Sequence, residues 1–101
     1  MVEYLTYKEV KYPVRISYYA LKMFKKETDK ELENIINDNN VELLEPLLFY
    51  ALEAGAKATD KELTVKREDV QWMLDEIWQD FIKVIAIFFP PIDVDSKKKK
   101  T

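Results

Sequence analysis

The sequence predicts a mainly α-helical single domain of about four helices preceded by a short N-terminal extended strand or hairpin, on three observations. Beyond Ser17, apolar residues recur at spacings of three and four, the period of a helix with one buried face. Before Ser17 the chain alternates instead with a period of two. The composition, 48% hydrophobic and 35% charged with one Gly and four Pro, is that of an ordered helical domain rather than a disordered chain. At 101 residues there is material for one core, because folding at this size buries roughly two thirds of the unfolded chain's surface. We assign residues 1–92 to that domain and residues 93–101 to a flexible lysine-rich tail.

Even positions from Val2 to Ile16 are mostly apolar, and odd positions are mostly charged or small, with Leu5, Tyr7 and Pro13 as exceptions. This alternation predicts extended structure turning near Lys8-Glu9, with Pro13 confining its strand to an edge or a bulge. Ser17 is the expected N-cap of the first helix, with Ile16 and Leu21 placed as a hydrophobic staple and Lys25-Lys26 at the negative end of the dipole. Thr28-Asp29-Lys30-Glu31 reads as a capping box ahead of Leu32, Ile35 and Ile36 in a short second helix, which ends in Asn37-Asp38-Asn39-Asn40.

Leu44, Leu47, Leu48, Ala51, Leu52, Gly55 and Ala56 define a third helix, whose small-residue end permits close approach by a neighbour. Pro46 must lie in its first turn, since an interior proline costs about 3 kcal/mol. The last helix is expected to begin near Lys66, with Thr64 as its cap, and to stop at Pro90-Pro91. Its apolar stripe runs through Val70, Met73, Leu74, Ile77, Phe81, Val84, Ile85 and Phe88.

Cysteine and histidine are absent, which removes disulfides, thiolate or imidazole metal sites, and Cys/His or Ser/His catalysis. Asp75, Glu76 and Asp80 lack histidine partners or a Gly-bearing calcium loop and read as a solvated helical face. The expectation is therefore a protein that is not an enzyme and takes no cofactor. Net charge is -3, but without Lys97–Lys100 the 16 basic residues fall to 12 against 19 acidic, a body charge of -7. Such a body repels phosphate backbones, so Lys8, Lys11 and Arg15 among aromatic residues are read as cross-strand packing and not as a nucleic-acid surface. No basic segment followed by an apolar one opens the chain, which favours an intracellular site. The terminal apolar run is far short of the roughly 20 residues of a membrane span.

From Trp78 onward the last helix is apolar nearly all the way round, interrupted by Gln79, Asp80 and Lys83. If four of these large side chains stayed exposed, roughly 6–12 kcal/mol of gross burial would be forgone, comparable with a domain's net stability of about 5–15 kcal/mol. Trp78, Phe81, Ile82, Ile85, Phe88 and Phe89 are therefore the candidate partner-binding residues, and Trp72 and Trp78 are read as core or interface anchors.

Three segments, "KYPVRISYYALKMFKKET", "LLEPLLFYALEAGAK" and "LTVKREDVQWMLDE", carry a resemblance. Together they resemble the tail assembly chaperones of long-tailed bacteriophages over about Lys11 to Glu76, in packing patterns rather than in a catalytic signature. The resemblance implies a mostly helical protein of the host cytoplasm that self-associates, coats the tape-measure protein while the tail tube protein assembles, and is absent from the finished particle. It also implies a reading of Lys97–Lys100 as the product of an adenine-rich slippage site for a frameshifted longer form; a plain solubilising tail accounts for the same residues. The chain departs from the family pattern at Pro46 and in its unusually apolar terminus. A permanent structural or adaptor subunit of the particle, and a regulatory or antitoxin-like binding module, are the alternatives.

Overall fold

In the computed structural model, which describes residues 2–38 and 40–88, the chain opens as an antiparallel hairpin of β1 (Glu3–Tyr7) and β2 (Val10–Val14). Lys8 and Glu9 form the two-residue loop with φ of 50° and 68°, the left-handed conformation at both positions that a type I′ turn requires. Neither residue is Gly or Asn, so the turn costs about 1 kcal/mol at each position. Docking of both strands on the helices offsets it. Because a two-residue loop pairs Tyr7 with Val10, the inward face is odd in β1 and even in β2. Leu5 is consequently buried and Tyr7 half-buried, whereas Tyr4 and Thr6, which kept the even phase, face outward. The same register places Pro13 opposite Tyr4 in a non-hydrogen-bonded pair, where the ladder needs no N–H from it.

The hairpin is tied to the helices through backbone. The Arg15 N–H donates to the Ala51 carbonyl at 3.0 Å. α1 (Tyr18–Thr28) begins with Ser17, whose hydroxyl accepts from the Ala20 N–H at 3.3 Å, and it buries Ala20 and Phe24. Its end differs from the predicted one. Thr28 is the last residue of α1, donating to the Phe24 carbonyl and accepting from the Lys30 N–H, and Asp29 takes a left-handed conformation (φ 60°) behind it. The Thr28–Glu31 segment is thus a helix stop and not a capping box. Glu31 reaches back to Lys25, and the Asn34 side chain instead accepts the Glu31 N–H, leaving α2 (Glu33–Asn37) only five residues long.

A 3₁₀ turn at Val41–Leu43 leads into α3 (Leu44–Ala58), with Pro46 in its first turn as its missing N–H demands. α3 closes with the N–H of Lys61 on the Ala56 carbonyl and that of Asp60 on the Lys57 carbonyl, with Asp60 left-handed: a Schellman stop built on aspartate. A second 3₁₀ turn at Arg67–Asp69 precedes α4 (Val70–Phe88). Lys66, not Thr64, holds the cap position there, and its side chain makes no capping bond.

α3 lies at the centre, packed on α1, β2 and α4, while β1 packs on α4. α4 therefore has two covers, a helix and a sheet, and its stripe Val70, Met73, Ile77, Phe81, Val84 and Ile85 is buried within the monomer. This corrects the expectation for Phe81 and Ile85, which the single chain shelters, while Trp78 and Ile87 of the same helix stay exposed. Phe81 and Ile85 are fully enclosed, and Ile82 and Phe88 are partly buried against the same core. No described helix is long and apolar enough to cross a membrane.

Candidate partner-binding surface

One shoulder of α4 remains open. Leu74 and Trp78 form one i,i+4 row and Gln71 and Asp75 a second beside it. Val41, at the start of the first 3₁₀ turn, stands across from them. Together these residues border a shallow, open concavity of about 290 Å³ with buried Leu44 among its lining. Trp78 is 39% exposed and Val41 57%, so two large apolar side chains border a cleft with a short polar edge. That is the form of an anchoring pocket for another apolar side chain.

Of the predicted contact residues, Trp78 is in this cleft and Ile82 follows one turn later on the same side, half-buried. Phe88 is half-buried at the helix end, and Phe81 and Ile85 belong to the core rather than to any accessible surface. Phe89, Pro90-Pro91 and the lysine-rich tail lie outside the described residues. Trp72 is 60% exposed, but six residues separate it from Trp78, which turns it about 120° away around the helix. The two tryptophans do not share a patch. Val41 was missed in the sequence because it precedes the periodic part of α3 and joins the cleft only through tertiary folding. Asp75, Glu76 and Asp80 are solvent-exposed, and no cluster of three or more His, Cys, Asp or Glu able to hold a metal occurs among the described residues.

A polar cluster ties three elements of the fold together. The Arg67 guanidinium grips Glu27 in bidentate fashion (Nη1–Oε1 3.1 Å, Nη2–Oε2 2.5 Å), and the Tyr50 hydroxyl donates to Glu27 Oε1 at 2.8 Å. Arg67 also lies 5.5 Å from the Phe49 ring centroid and 6.0 Å from that of Tyr50. The group clasps the last turn of α1, the middle of α3 and the 3₁₀ turn that launches α4. Its partners are 40 and 23 residues apart in sequence, a separation that no local pattern reveals. A second link joins α1 to α3, where the Tyr19 hydroxyl donates to Glu53 at 2.7 Å; that bond pushes its pKa up to about 12.

The hydrogen bonds from Arg67, then that from Tyr50, hold the Glu27 carboxyl below its ordinary pKa against the opposing effect of partial burial. A carboxylate with a depressed folded pKa contributes stability above its unfolded pKa of about 4.3 and loses it as pH falls through the folded value. Unfolding midpoints measured from pH 6 down to pH 2 are therefore expected to fall more steeply for the native chain than for Glu27→Gln. Because the pair is more than a third exposed on the arginine side, the difference at neutral pH is expected to be about 1 kcal/mol or less.

No protein-family model, curated protein or solved structure matches this chain.

Proposed function

We propose that this protein is a non-enzymatic tail assembly chaperone of a long-tailed bacteriophage, self-associating and coating the tape-measure protein in the host cytoplasm during tail tube assembly. One observation carries the reading: the open shoulder of α4, where Trp78, Val41 and Leu74 border a cleft beside Gln71 and Asp75. A long helical partner offers apolar side chains at i, i+3 and i+4, and a concavity of about 290 Å³ has room for about one such anchor per copy. Many copies along one tape-measure chain then cover its apolar stripe. The acidic body faces solvent, which keeps the coated complex dispersed. The sequence resemblance over Lys11 to Glu76 supports the same reading.

The test is co-expression with a tape-measure protein of a long-tailed phage, followed by co-purification and mass spectrometry of finished particles. Native chain is expected to co-purify with the tape measure and to be missing from particles. Trp78→Ser is expected to lose at least tenfold in capture while keeping its fold, since a buried aromatic anchor contributes 2 kcal/mol or more. Stoichiometric presence in finished particles would instead make the chain a structural subunit.

A further inference from the structure

We infer that the outer edge of β1 is a strand-pairing site for β1 of a second copy of this chain, joined antiparallel about a two-fold axis at Leu5. The inference rests on the self-association in the proposed function and names the surface that performs it.

The two-residue hairpin loop fixes which peptide groups are used inside the molecule. Tyr7–Val10, Leu5–Tyr12 and Glu3–Val14 are the hydrogen-bonded pairs, so the N–H and C=O of Tyr4 and Thr6 point away from β2. No hydrogen bond among the described residues reaches these four groups. The opposite edge of the sheet is closed. There Pro13 has no N–H to offer, α3 is pressed against its carbonyl at Gly55, and the Arg15 N–H is taken by Ala51. The sheet can therefore grow on the β1 side.

β1 also lacks the devices that keep exposed edges apart. Its sequence, Glu3-Tyr-Leu-Thr-Tyr7, has no lysine, proline or bulge and is rich in residues that favour strands. A second copy fits it by symmetry. With the axis at Leu5, Tyr4 of each copy pairs with Thr6 of the other, so all four open peptide groups are satisfied by four inter-copy hydrogen bonds. Glu3 falls opposite Tyr7, which avoids a like-charge pair. The helices of both copies lie on one side of the resulting four-stranded sheet, and the faces bearing Tyr4 and Thr6 form the other.

Sedimentation and amide hydrogen exchange of the full chain test this assignment. The native chain is expected to dimerise, with the Tyr4 and Thr6 amides protected in step with dimer population. Tyr4→Glu/Thr6→Glu sets Glu against Glu across the axis, and Tyr4→Lys/Thr6→Glu sets Lys against Glu. Both positions are exposed, so neither variant removes a core contact. The first is expected to raise the dimer dissociation constant about tenfold over the second, from two cross-strand pairs changing sign. A native chain that stays monomeric at several hundred micromolar overturns the inference, as does a dimer equally stable in both variants. Protection of Tyr4 and Thr6 that appears only when a different protein is added overturns the choice of a second copy. A monomeric Tyr4→Glu/Thr6→Glu chain that still captures the tape measure through Trp78 separates this inference from the function it rests on.

Discussion

Replacing Phe81 with alanine is expected to remove about 3–5 kcal/mol of folding stability, the cost of emptying an aromatic-sized volume in a core that cannot collapse around it. Phe81 is fully enclosed in the middle of α4, with α3 packed on one side of that helix and β1 on another. For a domain near 100 residues each kcal/mol lowers the melting temperature by about 4–8 °C, so a drop of roughly 12–40 °C is expected. Trp78→Ala provides the contrast on the same helix. Its side chain borders an open cleft, and its removal is expected to shift stability by about 1 kcal/mol or less. Chemical denaturation of both variants reads the difference directly. Near-native stability for Phe81→Ala, together with lost partner capture, would return Phe81 to the surface and refute the packing described above.

The contrast between Phe81 and Trp78 also shows what the sequence could and could not convey. Helical spacing found the whole buried stripe of α4, because Val70, Met73, Ile77, Phe81 and Ile85 follow the 3.6 period without exception. It could not say how many neighbours cover that stripe. α4 is covered by β1 as well as by α3, and the register of the hairpin that carries β1 is set by the Lys8-Glu9 turn. Local chemistry was legible wherever it acts over a few residues: the Ser17 cap and Pro46 in a first turn both stand as their side chains require. The Thr28–Glu31 segment failed as a start signal because Thr28 satisfies an i-4 carbonyl more readily when a helix already precedes it. Val41 beside Trp78, and Arg67 on Glu27, arise from tertiary folding, and no window of the sequence contains both members of either pair.

Gly55→Ala is expected to destabilise the protein by about 2–3 kcal/mol even though helix propensity argues the other way. Within a helix, alanine is favoured over glycine by about 1 kcal/mol, so at a solvated position this substitution would stabilise α3. Gly55, the chain's single glycine, is not solvated. A Cβ placed there falls 2.2 Å from the Pro13 carbonyl oxygen, 2.4 Å from its carbon and 2.7 Å from the Val14 Cα. All three are backbone atoms of β2, held by the ladder to β1 and by the Arg15 N–H on the Ala51 carbonyl, so no rotamer change relieves the overlap. The strand and the helix must separate by roughly an ångström, which loosens the packing of Val14, Leu48 and Leu52 at once. The overpacking cost exceeds the propensity gain, and the sign of the change follows from that inequality. The close neighbour that the small-residue end of α3 admits is thus a strand backbone, and the hairpin's position depends on one missing methyl group. Equilibrium unfolding is expected to place Gly55→Ala below the native chain and Gly55→Val lower still, with faster hydrogen exchange at the Arg15 amide. An alanine variant as stable as the native chain would mean that β2 does not rest on α3 at this position.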